Sequence, residues 1–312
     1  MSERERTTME AVQSEAPAPD AEALVEVGDI DRLRPHARPL QERPIIDRSG
    51  RPLLSIEHVT QAIEGHSIFE DVSFEVWPGE IFGIMGMSGS GKTTLLRVLI
   101  GLDKPTEGHI LFHGEDITEL DEDGLNRVRR SMGMCFQYSA LFDSMTVAEN
   151  VAFSWRNRTD VTPDAKAARV AQLLDMVEMA GTEDRMPADL SGGMRKRVSI
   201  ARALMEEPEL VLYDEPSSGL DPVMSCNITG LIKKVSTDTG STAVIVSHDV
   251  PNLLGICDRM LMLHDQRVQF LGTPDDMRAS EIPIVYHFVH GLGTGEMTEH
   301  CSLQTGVGTD VG

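Results

Sequence analysis

The sequence predicts an α/β fold, a parallel sheet with helices packed against both of its faces. Three observations carry that expectation. Short, unbroken apolar runs occur at Ile81–Met85, Leu210–Tyr213 and Thr242–Val246, as in strands buried on both sides. Stretches of helical periodicity lie among them, at Thr93–Ile100, Val161–Met179 and Met194–Met205. Turn chemistry marks the joints, with Pro78-Gly79 before the first run and a glycine-rich loop directly after it. Upstream, Leu53–Val59 and Val72–Val76 read as two more strands, joined through the turn-prone Glu64-Gly65.

Composition sets the borders. Residues 1–50 are rich in Glu, Ala, Pro and Arg and poor in aromatic and β-branched residues. They cannot bury enough apolar surface to offset ordering entropy, so a disordered acidic tail is expected, with a short helix at Ala21–Val27. From about residue 276 the chain turns Gly- and Thr-rich and reads as a loose C-terminal extension, 276–312, partly disordered or in contact with a partner. The 312 residues are 40% hydrophobic, which supplies a core, yet no apolar run reaches the length of a membrane span. The N-terminus lacks the apolar region of a secretory signal, so a cytoplasmic protein is expected. A formal net charge of −22 argues against nucleic-acid binding and against adhesion to anionic lipid. Cys135, Cys226, Cys257 and Cys301 are widely spaced and read as reduced thiols.

The loop after the first buried run is Gly86-Met87-Ser88-Gly89-Ser90-Gly91-Lys92-Thr93, followed by Thr94. It fits G-x-x-x-x-G-K-[ST] at every required position and sits between a strand and a helix. Its glycines let successive backbone N–H groups curl around an anion, and the helix turns its positive end toward that anion. Lys92 then supplies a charge to the β- and γ-phosphates of a nucleotide, and the Thr93 hydroxyl a ligand for Mg²⁺. A second strand, Leu210–Tyr213, ends in Asp214-Glu215. Beside a phosphate loop, Asp214 is placed to hold the magnesium and Glu215 to polarise an attacking water.

Leu190-Ser191-Gly192-Gly193-Met194 resembles the LSGGQ signature of ABC ATPases, with Met194 in place of the usual Gln. Gln137 resembles the Q-loop glutamine that senses Mg²⁺ and water, Asp221 the D-loop aspartate that couples two sites, and His248 the switch histidine on the γ-phosphate. A lone Gln or His is more often a satisfied polar residue; the five motifs in family order, Gly86 to His248, are jointly specific. The resemblance implies a P-loop NTPase (RecA-like) core over residues 51–275, an antiparallel β subdomain and a helical signature subdomain at about 138–195. It also implies an ATP hydrolase using ATP and Mg²⁺ as a homodimer, with the signature of one copy closing over the partner's nucleotide. One family element is missing: Gln61 stands about where an aromatic would stack on adenine, a contact worth about 1–3 kcal/mol, and the adenine contact is left unassigned.

The wording Ala140-Leu141-Phe142-Asp143-Ser144-Met145-Thr146-Val147-Ala148-Glu149-Asn150-Val151, LSGGM and Ser247-His248-Asp249-Val250 is similar to the MlaF-like ATPases of Mla/Mce-type lipid transporters. That implies an integral-membrane permease docking near the Q-loop, an MCE-domain substrate-binding protein, and a place on the cytoplasmic face of the inner membrane. Tyr138, Leu141, Phe142 and Phe153 fit either a docking groove for the permease or core of the helical subdomain. An ABC ATPase of an amino-acid or ion importer, or a soluble ABC protein outside transport, stays open as an alternative. Arg127, Arg129, Arg130, Arg195, Lys196 and Arg197 read as solvated helix faces or helix-end partners. His287, His290, His300 and Cys301 lack a metal-site spacing.

Overall fold

The computed structural model describes residues 46–291. The helix expected at Ala21–Val27, most of the N-terminal tail, and His300 and Cys301 lie outside the described residues. In chain order the elements are β1 (Leu54–Ile63), β2 (His66–Val76), β3 (Ile81–Met85), α1 (Lys92–Leu99), β4 (Glu107–Phe112), β5 (Glu115–Asp116), α2 (Glu122–Arg129), β6 (Met132–Cys135), α3 (Val147–Val151), α4 (Pro163–Met176) and α5 (Gly192–Ala203). There follow β7 (Leu210–Asp214), α6 (Pro222–Thr239), β8 (Thr242–Ser247), α7 (Val250–Ile256), β9 (Arg259–His264), β10 (Arg267–Gly272), α8 (Pro274–Arg278) and α9 (Pro283–His290).

The strands form two sheets. A four-stranded sheet runs β2-β1-β4-β5, and a six-stranded sheet runs β10-β9-β3-β8-β7-β6. In the larger one β9, β3, β8, β7 and β6 are parallel, with β10 antiparallel at the edge. Every side chain of β3, β7 and β8 is buried, as a sheet covered on both faces requires. Alternation along these strands divides the core. Phe82, Ile84, Leu212, Val244 and Val246 face α1 and the smaller sheet, whereas Met85, Val211, Tyr213 and Ile245 face α5, α6 and α7. The Phe74 and Phe82 rings stack at 5.1 Å where the two sheets meet. Burying each such side chain contributes about 1.5–3 kcal/mol, so the sheet is stabilised from both sides.

The β1–β2 hairpin closes at Glu64-Gly65, as expected, with both residues at positive φ. Buried Glu80 anchors the next turn: its carboxylate accepts from Trp77 N at 2.8 Å and from Arg259 Nε at 2.7 Å. The helical unit is α3, α4 and the start of α5, packed through Val147, Val151, Leu173, Leu174 and Leu190. Asn150 is fully buried there; it accepts from Phe142 N and donates to the carbonyls of Phe142, Met145 and Thr146.

The structure corrects the expectation for the C-terminal extension. The chain beyond residue 276 is not loose up to residue 290: Met277 and Val285 are fully buried, and Ile284 and Phe288 pack on the core below α7. Pro283 starts α9, and Ile284, Val285, Phe288 and Val289 repeat at helical spacing, a pattern masked by the Gly- and Thr-rich residues after it. No helix among the described residues is long and apolar enough to cross a membrane.

Burial pushes the Cys135 thiol up to about 12, while Cys226 is exposed on α6. Native protein treated with iodoacetamide at pH 8 is therefore expected to carry label on Cys226, with Cys135 modified only after denaturation, as peptide mass mapping would show.

Candidate functional site

The site forms where β3, β7 and β8 end. Met85 is in register with Ser247, and Asp214 with Val246, so three strand tips lie side by side. Ligand sites of open parallel sheets form at such C-terminal strand ends.

The loop from β3 to α1 can take no side chain at Gly86. A Cβ there would fall 2.3 Å from the Leu263 carbonyl oxygen and 2.7 Å from Ser90 Oγ. Gly91 has φ 91° and caps α1 without any side-chain hydrogen bond, leaving the first backbone N–H groups of the helix for a ligand. Lys92 folds back over the loop, its Nζ donating to the carbonyls of Gly86 at 2.9 Å and Met87 at 2.8 Å. Burial lowers its pKa, opposed by the nearby Glu215 and Asp214. Ser90 Oγ is buried without a hydrogen-bond partner, a polar group of the kind an anion satisfies. Gly86 to Thr94 thus form one continuous loop running into α1, a cradle of backbone N–H groups of the kind that takes an anion.

The two acids at the end of β7 have different partners. Asp214 is buried and its Oδ1 accepts the Thr93 hydroxyl at 2.9 Å. Burial raises its pKa, and the bond from Thr93 opposes that rise. Glu215 turns away, with φ 45° and its N–H donating to Val246 O at 2.9 Å. A left-handed backbone at a non-glycine residue costs about 1–3 kcal/mol, and such strain collects where a side chain has to be aimed. The Oε2 of Glu215 lies 2.8 Å from His248 Nδ1 and accepts from Ser247 Oγ at 3.3 Å. Glu215 is buried, whereas the His248 ring is 62% exposed and stands at the mouth. The pair therefore joins an enclosed carboxylate to a solvent-facing imidazole, an arrangement suited to moving a proton.

Gln137 follows the tip of β6, and its Nε2 donates to Ser218 Oγ at 3.4 Å. Lys196 is a correction to the sequence reading. It is buried rather than solvated, and its Nζ donates to the carbonyls of Gln137 and, at 3.4 Å, Glu215. Its position three residues after buried Gly193 and four before buried Ile200 places it on the inner face of α5, a signal hidden by the arginines on either side. Those arginines behave as expected: Arg195 donates to Leu190 O and Arg197 to Val177 O. Arg129 likewise ends on the Ile100 and Gly101 carbonyls.

The remaining motif residues stand apart from the loop. Ser191 caps α5 by accepting from Met194 N at 3.3 Å; Ser191 and Gly192 are exposed, and Leu190 is buried. Asp221 caps α6, its Oδ1 accepting from Val223 N and Met224 N at 3.0 Å each. Among the described residues no hydrogen bond joins residues 190–194 to residues 86–94. Gln61 is buried and pairs across the hairpin with Phe69, which with Ile68 lies against Gly91. Its Oε1 has no hydrogen-bond partner. His287 is buried in α9 and the His290 ring stacks on Tyr286, so these histidines do not converge as a metal site does.

The family model described as ABC transporter matches residues 69–218. The chain is 38% identical over 250 residues to the intermembrane phospholipid transport system ATP-binding protein MlaF of Escherichia coli K12, covering 80% of this chain and 93% of that protein. It is also 38% identical over 242 residues to the sulfate/thiosulfate import ATP-binding protein CysA 1 of Agrobacterium fabrum, covering 76% of this chain and 68% of that one. Among solved structures, the dimeric ATP-binding cassette MJ0796 in a post-hydrolysis state with ADP and Pi matches with a TM-score of 0.65 at 32% identity, covering 71% of this chain and 98% of that chain. The structure of cbiO1 from Clostridium perfringens, part of the ABC transporter complex cbiONQ, matches with a TM-score of 0.70 at 28% identity, covering 81% of this chain and all of that one, 100%.

Replacing Lys92 with alanine removes the one ammonium inside the cradle and is expected to lower ATP hydrolysis by about 100-fold or more, read by phosphate release. Full activity in Lys92→Ala would show that the phosphates bind elsewhere.

Proposed function

This chain belongs to the family of ABC transporter ATP-binding proteins, which are ATP hydrolases, and from that premise we propose that it powers a permease trafficking phospholipids or other hydrophobic molecules between membranes. The observation that carries the mechanism is the division of the motifs. The phosphate loop, Asp214, Glu215 and His248 meet at the strand tips, while Ser191 and Gly192 stand exposed at a helix start that none of them touches by a hydrogen bond. Two copies complete each other: Leu190 to Met194 of one close over the nucleotide held by residues 86–94 of the other, and Asp221 couples the two sites across the contact. Contacts made only in the closed dimer give ATP the differential affinity that a conformational switch needs.

Within one site the residues divide the work. Lys92 and the backbone N–H groups of the loop bind the β- and γ-phosphates. The Thr93 hydroxyl and the Asp214 carboxylate already face each other at 2.9 Å and would supply oxygens that suit a hard cation, with Gln137, which here donates to Ser218, as the further ligand that the family resemblance implies. A Mg²⁺ ion bound by these residues would neutralise charge on the phosphates. Glu215 takes the proton of the attacking water, and His248, in contact with that carboxylate, meets the γ-phosphate.

The surface after the Q-loop suits a permease. Tyr138 is 87% exposed and Phe142 40%, with Phe142 stacked on Phe153 at 4.4 Å, while Leu141 turns into the core. Buried Asn150 holds the backbone beneath this apolar surface, so a short cytoplasmic helix of the membrane subunit meets a fixed shape. Docking there puts the ATPase on the cytoplasmic face of the inner membrane. The lipid cargo is supported by the wording of residues 140–151, by LSGGM, and by likeness to MlaF; an MCE-domain protein is the companion this reading expects. Equal identity to CysA favours a sulfate or similar importer as the second reading.

Glu215→Gln is expected to retain ATP and accumulate as a dimer on size-exclusion chromatography, with Glu215→Gln remaining monomeric counting against the closed-dimer mechanism. Affinity purification of the chain from detergent-solubilised membranes is expected to bring down a permease together with an MCE-domain protein. A permease accompanied instead by a soluble anion-binding protein would exclude the lipid reading.

A further inference from the structure

Among the described residues two lysines are buried, Lys92 at 6% exposure and Lys196 at 8%. Lys92 belongs to the phosphate cradle; Lys196 has no place in the five motifs. It leaves α5 one turn after Gly192, and its ammonium ends where two segments distant in sequence converge. It donates to the carbonyl of Gln137 in the Q-loop and to the carbonyl of Glu215 at 3.4 Å. It forms no ion pair; Asp214 and Glu215 attract it through space, while burial works against its charge. A methionine would fill the same volume on α5 without a buried charge, so packing does not explain an ammonium here. What an ammonium adds is a donor to the Gln137 carbonyl and, beside the Ser218 N–H already there at 3.1 Å, a second donor to that of Glu215.

Glu215 is held at its N–H by Val246 O and at its carboxylate by Ser247 and His248. Its carbonyl accepts from the nearby Ser218 N–H at 3.1 Å, and Lys196 adds a second donor there from a distant element, α5, on a residue whose φ of 45° leaves it prone to relax. We infer that Lys196 is a positioning residue, fixing the Gln137 loop and Glu215 at one spacing and tying both to the helix that begins at Ser191 and Gly192. It makes no hydrogen bond to residues 86–94, so nucleotide binding does not depend on it. The inference rests on Glu215 as the base for the attacking water.

The test is steady-state hydrolysis of Mg-ATP by the full chain carrying Lys196→Met or Lys196→Arg, with Glu215→Gln in the same series. Lys196→Met is expected to lower kcat at least tenfold, with KM for Mg-ATP within twofold of wild type and an unchanged Tm. Lys196→Arg, which keeps donors for both carbonyls, is expected to recover at least a third of the wild-type kcat. If the methionine variant melts early, Lys196→Gln replaces it, and an intermediate kcat at unchanged KM is expected. A kcat within twofold of wild type in Lys196→Met, a rise in KM that accounts for the loss, or no recovery in a folded Lys196→Arg would each overturn the inference. Activity surviving in Glu215→Gln would instead remove the base itself, a failure separate from that of Lys196.

Discussion

Burial of the parallel sheet on both faces is the constraint from which the site follows. With every side chain of β3, β7 and β8 inside, polar residues have no place along those strands and collect at their ends. The parallel register brings those ends to one edge, Met85 beside Ser247 and Asp214 beside Val246. A loop, two acids and a histidine that are far apart in sequence therefore converge without any element having to bend toward them. The same burial sets the electrostatics. Lys92 and Lys196 are both held below their ordinary pKa by desolvation and Asp214 is held above its own, so each charge in the site depends on its opposites.

Adjacent acids can do different chemistry only when their surroundings differ. Here the backbone separates them. Asp214 completes β7 and meets Thr93 on α1; Glu215, one residue later, leaves the strand in a left-handed conformation and meets His248 after β8. A glycine at 215 would adopt that φ freely but would carry no carboxylate. The strain is tolerated because β8 and His248 hold the N–H and the carboxylate of Glu215, while Ser218 and Lys196 on α5 donate to its carbonyl.

Much of this was legible in the sequence because the features were local. Strand β3, the phosphate loop and α1 are contiguous, and their apolar run, glycines and helical period fall within twenty residues, so the strand and helix are found within a residue of where they were expected. Asp214-Glu215 and His248 each follow an apolar run, which marks a strand tip. What escaped was tertiary. Lys196 reads as one cation in a basic run, and only the packing of α5 shows which side chain turns inward. Gln61 looked out of place in the sequence, and in the structure it is a buried amide whose oxygen has no partner, against a hairpin that touches Gly91. Helix α9 was hidden because composition was averaged over a tail whose first part has its own apolar spacing.

The helix starts that carry the signature and Asp221 form one surface. A Cβ at Gly193 would fall 2.5 Å from Met224 Cε, and one at Gly192 would lie 3.4 Å from Leu220, so α5 and α6 meet at their N-terminal ends. The atom nearest Gly193 is the flexible tip of Met224, so the two helix starts lie close while that side chain keeps room to move. Ser191, Gly192, Asp221 and Val223 remain exposed around that contact, with Val223 at 71%. Asp221 spends its carboxylate on two backbone N–H groups of α6, which fixes the α6 start whether or not a partner is present. In the proposed dimer this surface is presented already formed, so closure spends little free energy on ordering it. Under that proposal the energy of ATP binding is left for moving the helical unit, and with it the Tyr138–Phe142 surface proposed to receive a permease.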